Sequence, residues 1–306
     1  MEQKIKIGDV IEVNIKKLGI NGEGIGYLDR LATFIDGALP GEDIKAEVLE
    51  VYDNRAVARL LEIMKPSKDR VVPFCPVFDK CGGCQIQHLS YDQGLMHKRE
   101  LILNAFRRYI DPKYPEKRVH QTIGATDPLG YRNKASLPLE RHKKKNYIGM
   151  YQKNSNAFIF IDRCPIQKDL INQIFRHIIQ IMDELDIHAY NPKLRRGYIK
   201  SVVIRTNEKE TSAQVSLILN EKSNRLEQLA TRLVSAEPRV GSVMAYIANK
   251  KQGGSFFSDQ KTTLYGTETI ESSLHGYTFE LKPEAFFQLN TPQADIFNQT
   301  MVRLAD

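Results

Sequence analysis

The sequence predicts a multi-domain α/β protein that begins with a small β-barrel and continues with mixed helices and strands. Residues 4–63 have short apolar runs separated by turn residues, and they show no helical period. Two later stretches, 92–110 and 168–187, have apolar residues at helical spacing. At 306 residues and 42% hydrophobic content, the chain is long enough to build two or three domains.

Residues 4–63 are predicted to form a barrel of about five strands, since barrels of this kind are built from short, evenly spaced strands. The first strand is rich in β-branched residues, namely Val10, Ile11, Val13 and Ile15. The glycine-rich run at 22–26 superficially resembles a dinucleotide-binding loop, but no helical pattern follows it and residues 39–41 predict a turn. Small barrels often bind oligonucleotides, although residues 1–70 have a net charge of −2.

A linker at 65–70 precedes the remaining elements. Helices are predicted over 92–110, 168–187 and 225–235, with a last helix opened by Thr291 and Pro292. Strands are predicted at 202–206 and 214–219, which would form a hairpin, and at 242–248 and 277–282. In the first helix we expect one apolar face, formed by Leu95, Leu101, Ile102, Ala105, Phe106 and Tyr109.

The positive charge is concentrated in one segment. Residues 71–150 contain 14 Lys and Arg against 7 Asp and Glu. Their net charge of +7 equals that of the whole chain. Such a segment favours a polyanionic partner, most simply nucleic acid, with a merely solvated basic face as the alternative. Arg132 and Lys134 lie on one face of a short extended run there and are the predicted RNA contacts. A solvated arginine is the alternative.

The four cysteines form a pattern typical of a metal site. Cys75, Cys81 and Cys84 lie within ten residues, and Cys164 is far along the chain. Four thiolates suit a [4Fe–4S] cluster, and they equally suit structural zinc. Disulfides are disfavoured, because the polar start and the lack of a long apolar run predict a cytoplasmic protein outside the membrane. If all four cysteines bind metal, none remains as a nucleophile.

Several motifs resemble the RNA uracil-5-methyltransferases that contain a [4Fe–4S] cluster, whose best-known members methylate 23S ribosomal RNA. The matching strings are Cys81-Gly82-Gly83-Cys84-Gln85-Ile86-Gln87-His88, Cys164-Pro165-Ile166-Gln167, Tyr131-Arg132-Asn133-Lys134 and Phe286-Phe287-Gln288-Leu289-Asn290. The region before them resembles the OB-like TRAM domain of these enzymes, through residues 22–25 and 37–42. This resemblance favours a [4Fe–4S] cluster over zinc at the four cysteines.

The resemblance implies that a cysteine thiolate adds to C6 of a flipped-out uracil, whose C5 then takes the methyl group of S-adenosylmethionine. It implies that Gln288 binds S-adenosylmethionine. Phe286 lies two residues earlier, on the same face of an extended segment, and we predict that it stacks on the flipped base. For these two residues, a strand-end glutamine and a core phenylalanine are the alternatives. The implied partner is RNA, most simply 23S rRNA, and no obligate protein partner is evident.

The resemblance also implies a domain order. Residues 1–66 would form the TRAM barrel, 71–170 the iron–sulfur and basic RNA-binding domain, 171–283 a central α+β domain, and 284–306 the start of a Rossmann-like methyltransferase domain. The glycine-rich turn and the nucleophilic cysteine of the family would lie beyond residue 306. We therefore expect an N-terminal fragment or truncated relative that is inactive alone. The alternative is a non-catalytic RNA-binding module with a structural iron–sulfur or zinc site.

Overall fold

The computed structural model describes residues 5–153, 155–248 and 257–305. The chain forms two compact units, Met1–Gly124 and Ala125–Asp306. The division at residues 66, 71, 170 and 283 that the resemblance implies stays a prediction. Within the described ranges, no helix is both long enough and apolar enough to cross a bilayer.

The first unit opens with a closed five-stranded barrel, as predicted. Its strands are β1 (Val10–Leu18), β2 (Gly24–Leu28), β3 (Leu31–Asp36), β4 (Asp43–Tyr52) and β5 (Arg55–Lys65). Their order around the barrel is β1-β2-β3-β5-β4, and only β3 and β5 pair in parallel. Alternate side chains such as Val13, Ile15 and Ile44 point inward and form the core.

The glycines of the 22–26 run serve the barrel and do not form a dinucleotide loop. A β-carbon on Gly24 would lie 2.7 Å from the Ala38 carbonyl oxygen, and one on Gly26 would lie 2.9 Å from that of Asn14. The run therefore allows close packing of backbone at the start of β2.

A buried ion pair joins the residues after β5 to the barrel. Arg70 donates two hydrogen bonds to the Glu42 carboxylate, at 2.6 and 2.8 Å, and a third to the Gly37 carbonyl at 2.6 Å. The Glu42 carboxylate also accepts the backbone N–H groups of Leu39 and Ser67. These donors lower the pKa of Glu42 although its burial acts in the opposite direction.

Helix α1 (Tyr91–Tyr109) lies where it was predicted, but its predicted buried face was partly wrong. Leu103 is buried, whereas Ile102, Ala105 and Tyr109 are exposed. The basic side chains Arg107 and Arg108 lie in its last turn, where they complement the negative end of the helix dipole.

The second unit is built on a seven-stranded sheet in the order β12-β11-β10-β9-β6-β7-β8. The strands are β6 (Lys134–His142), β7 (Lys145–Tyr151), β8 (Phe158–Phe160), β9 (Ile199–Thr206), β10 (Ala213–Leu219), β11 (Val240–Ile247) and β12 (Lys261–Gly266). The predicted β9–β10 hairpin is confirmed. The strands β6, β7, β8 and β12 were not predicted.

Helices α2 (Asp169–Glu184) and α3 (Leu226–Ala236) pack on one face of this sheet and close the main core. The opposite face has a smaller apolar cluster of Val203, Ile218, Met244 and Tyr246, against which Phe257 packs. A separate hairpin of β13 (Ile270–Leu274) and β14 (Tyr277–Leu281) follows, and the chain ends in α4 (Thr291–Ala305).

Candidate functional site

Residues 282–290 connect β14 to α4, with a turn at 283–284 and no regular element after it, and we call them the presenting segment. Phe286 is 83% exposed and Gln288 is exposed, whereas Phe287 packs against Phe279 with ring centroids 5.7 Å apart. This alternation of exposed and half-buried residues agrees with the prediction that Phe286 and Gln288 share a face. The segment therefore offers one aromatic ring and one amide to solvent.

Asn133 attaches the presenting segment to the start of β6. Its buried side-chain amide donates to the Gln288 carbonyl oxygen at 2.9 Å and to Thr291 Oγ1 at 2.7 Å. Its backbone N–H donates to the Leu289 carbonyl oxygen at 3.1 Å, and its own carbonyl oxygen accepts the N–H of Thr206 in β9. The position of Gln288 is thus fixed through its backbone, while its side chain stays exposed.

Two cations attach the other half of the segment. Lys134 Nζ donates to the Pro283 carbonyl oxygen at 2.8 Å, and Arg205 Nη2 donates to the Ala285 carbonyl oxygen. Lys134 and Arg205 are directly opposite each other in the β6–β9 pairing, so their side chains share one face of the sheet. The Lys134 ammonium, predicted to contact RNA, is therefore already hydrogen-bonded inside the protein.

Burial disfavours both charges. It lowers the pKa of Lys134 to about 8, to which the positive charge of Arg205 adds. It also lowers the pKa of Arg205 to about 10, an effect that the carboxylate of Glu284 opposes. The carboxylate of Glu284 also raises the pKa of Lys134, and among the described residues the Nε and Nη1 atoms of Arg205 have no hydrogen-bond partner.

Arg132 is half-buried at the other side of Asn133. Its backbone pairs with the strand-like residues after Cys164, donating to the Ile166 carbonyl oxygen at 2.8 Å and accepting the Lys168 N–H at 3.1 Å. Its role as an RNA contact stays a prediction, as do those of Lys134 and Phe286.

The three clustered cysteines lie in the first unit, in the irregular loop between β5 and α1. The Gly83 N–H donates to Cys81 Sγ at 3.4 Å, which suits a thiolate. His88, in the same loop, is buried, and neither of its ring nitrogens has a partner among the described residues. Burial lowers the pKa of His88 to about 4, so the imidazole is neutral at pH 7 and has one N–H group and one acceptor nitrogen.

Cys164 lies in the second unit, just before α2. Asn172 holds its backbone, since Asn172 Oδ1 accepts the Cys164 N–H at 2.8 Å and Asn172 Nδ2 donates to the Cys164 carbonyl oxygen at 3.2 Å. In the ranges that the structure describes, no three Cys, His, Asp or Glu side chains lie close enough to hold a metal ion. The expected cluster site is thus not shown, although the donor chemistry suits it.

A cavity of about 450 Å³ lies elsewhere in the second unit, between the β9–β10 turn, the β13–β14 hairpin and the start of α4. Its lining includes Glu208, Ser272, His275 and Asp295, and His275 Nδ1 lies 2.9 Å from Asp295 Oδ1. None of the predicted site residues lines this cavity.

The sequence analysis did not predict that Asn133 and Arg205 hold the presenting segment. Asn133 lies in a family motif between Arg132 and Lys134, and only these two basic residues were predicted to contact RNA. Arg205 follows the apolar run 202–204, and a cation within a buried strand was the available signal.

Known proteins resemble this chain over nearly its whole length. The TRAM domain family matches residues 4–61. Proteins named RNA methyltransferase from Bacillus cereus and Halalkalibacterium halodurans are 38% and 39% identical over 293 and 290 residues. These alignments cover 95% and 94% of this chain but 63% and 62% of the relatives, so the chain spans less than two thirds of their length.

A further relative, from Enterococcus faecalis and also named RNA methyltransferase, is 33% identical over 306 residues, covering 100% of this chain and 67% of the relative. Among solved structures, the Pyrococcus abyssi tRNA (uracil-54, C5)-methyltransferase in complex with S-adenosyl-L-homocysteine shares the fold, with a TM-score of 0.72 and 22% identity. The match covers 96% of this chain and 65% of that one. The chain belongs to the family of these RNA methyltransferases, with a TRAM-type barrel at its start.

Proposed function

We propose that this protein acts in the S-adenosylmethionine-dependent methylation of uracil C5 in RNA. The observation that supports the proposal best is the presenting segment, which is fixed by its backbone and leaves Phe286 and Gln288 exposed side by side. The Phe286 ring is thus open to a ligand, and bases of RNA stack well on aromatic rings.

Each residue has one task in this proposal. The Phe286 ring stacks on the uracil that leaves the RNA stack, and the Gln288 amide hydrogen-bonds S-adenosylmethionine. Arg132, on the same stretch as the anchor Asn133, contacts a neighbouring phosphate. S-adenosylmethionine supplies an electrophilic methyl group when bound. The nucleophilic cysteine is assigned to sequence outside residues 1–306, because the four cysteines of this chain are assigned to metal.

The proposed RNA is a uridine-containing segment of 23S rRNA, met in the cytoplasm, with tRNA as the competing substrate. Purified protein is incubated with methyl-labelled S-adenosylmethionine and transcripts of either RNA, and 5-methyluridine is quantified by mass spectrometry. We expect residues 1–306 alone to bind the rRNA without methylating it, and the product of the complete reading frame to methylate it. Label in tRNA alone would reassign the substrate, and binding without methylation by both proteins would favour the non-catalytic RNA-binding module.

The four cysteines are proposed to bind a [4Fe–4S] cluster that stabilises the RNA-binding region. The N–H···S contact at Cys81 supports a thiolate in this loop. Protein purified without oxygen should contain about four iron and four sulfide ions per chain and absorb near ~400 nm. Cys81→Ser should lose both ions and weaken RNA binding, because metal binding is coupled to folding. A colourless protein that contains zinc would contradict this assignment.

A further inference from the structure

Four residues of the presenting segment accept hydrogen bonds at their backbone carbonyl oxygens. Lys134 binds that of Pro283, Arg205 that of Ala285, and Asn133 those of Gln288 and Leu289. Two of the donors, Lys134 and Arg205, pair across β6 and β9, and the third, Asn133, directly precedes β6. Because the attachments are to backbone, they fix the direction of the outward side chains without touching them.

Stability alone does not explain why Arg205 stands here. The residue is 3% exposed, and the residues paired with it on its face of the sheet are Lys134 in β6 and Gln214 in β10, neither of which supplies a negative charge. A buried cation without a contacting carboxylate destabilises a fold, and apolar replacements of buried charges are often neutral or stabilising. Only one of its donors, Nη2, has a partner among the described residues, and that partner is the Ala285 carbonyl oxygen next to Phe286.

We propose that Arg205, together with Asn133, is a positioning residue that holds the presenting segment in its binding geometry. Arg205 fixes the peptide before Phe286, and Asn133 fixes the peptide after Gln288, so the two exposed side chains are held from both ends. Holding both before a ligand arrives reduces the ordering cost of binding. What the two side chains bind rests on the proposed function; the positioning itself does not.

The test compares Arg205→Met with Arg239→Met, a matched change at an arginine of the same unit whose partners are Glu237 and Gln173. Hydrogen exchange of residues 284–290, thermal stability and affinity for a uridine-containing RNA are measured for both. For Arg205→Met we expect an unchanged or higher melting temperature, exchange in 284–290 faster by tenfold or more, and RNA affinity about tenfold weaker. Arg239→Met should leave exchange and affinity unchanged.

Arg205→Lys keeps one donor and should restore part of the affinity, which a purely structural role would not require. If Arg205→Met does not fold, the contrast of Arg205→Lys with Asn133→Ser gives the same exchange and affinity readouts. Unchanged exchange in 284–290 would overturn the inference. Faster exchange with unchanged RNA affinity in Arg205→Met, and also in Phe286→Ser, would instead overturn the proposed function and leave the positioning role standing.

Discussion

The two units each bury a charged side chain, and they treat it in opposite ways. In the first unit, Glu42 is fully buried and receives two hydrogen bonds from Arg70 and two from backbone N–H groups. In the second unit, Arg205 is equally buried but has only a carbonyl oxygen as partner among the described residues. The first charge has a hydrogen-bonded partner of opposite sign, whereas the hydrogen-bonded partner of the second is a neutral carbonyl group.

The difference separates stability from function. The Glu42–Arg70 pair joins the barrel to the residues that lead into the cysteine loop, and its geometry satisfies every polar group that it buries. Arg205 has two buried nitrogen atoms without a hydrogen-bond partner among the described residues, but its third fixes the peptide beside the exposed Phe286. Removing one partner of a paired buried charge destabilises a fold, whereas a buried charge without an ionic partner suggests a position kept for another reason.

The largest effect is expected at the paired charge. Glu42→Gln removes the negative charge and leaves Arg70 half-buried beside a neutral amide, which should cost about 2–4 kcal/mol of the free energy of unfolding. The matched control is Glu47→Gln, which breaks the more exposed pair with Arg59 and should cost less than about 1 kcal/mol. Urea denaturation of the first unit measures both. Equal losses in the two variants would show that burial of the pair does not matter.

The next largest loss of stability is expected at two buried asparagines, of which only Asn133 holds the presenting segment. Asn133→Ala removes the bonds to Gln288 and Thr291, and Asn146→Ala removes those to Asp183, Ile187 and Ala189. Each should cost about 1–3 kcal/mol, because buried partners lose their hydrogen bonds.

RNA affinity distinguishes the two variants. Asn133→Ala should weaken RNA binding, while Asn146→Ala should leave it unchanged, since its bonds lie away from the presenting segment. Filter binding at one fixed salt concentration is the measurement. Equal weakening by both variants would mean that affinity follows overall stability.

The stability that Glu42 gives to the first unit and the stability that Lys134 affects in the second unit should depend on pH in different ranges. The lowered pKa of Glu42 gives stability that is present above the pKa of the unfolded chain and is lost as pH falls through the folded value. Lys134 has a folded pKa of about 8 against 10.5, so the unfolded chain binds more protons between these values and stability should rise with pH there.

The prediction for Lys134 is checked by the melting temperatures of wild type and Lys134→Met between pH 7 and 10.5. The wild type should gain stability relative to the variant as pH rises. A constant difference across that range would show that Lys134 keeps its ordinary pKa.

The smallest change in stability is expected at the exposed ring. Phe286→Ser should alter the free energy of unfolding by less than about 0.5 kcal/mol, because the side chain is almost fully exposed. RNA affinity should nevertheless fall, by about 1–3 kcal/mol if one base stacks on the ring. The exposed Phe297 of α4 offers a control, since Phe297→Ser should change neither quantity. Loss of RNA affinity in both variants would indicate a diffuse apolar contact.

Local patterns predicted much of the fold and less of the site. The β-branched run at 10–15, the helical period over 168–187 and Pro292 at a helix start each act locally, and β1, α2 and α4 are confirmed. The strand β12 was missed because Lys261–Gly266 is largely polar and exposed. In α1, the direction of the buried face depends on the neighbour against which the helix packs, which periodicity does not give.

The site followed the same rule. Phe286 and Gln288 were predicted on one face, since side chains two residues apart in an extended segment point the same way. The anchors could not be predicted, because Asn133 and Arg205 are separated from the residues that they hold by 155 and 80 positions. Lys134 was predicted to meet phosphate, but its position opposite Arg205 and its bond to Pro283 depend on pairing that only the fold provides.

Hydrogen exchange of the wild type with and without a uridine-containing RNA tests the central claim most directly. The account predicts that RNA slows exchange in residues 284–290 of the presenting segment and leaves the covered strand β10 unchanged. Slowed exchange confined to the barrel, with no change in 284–290, would contradict it.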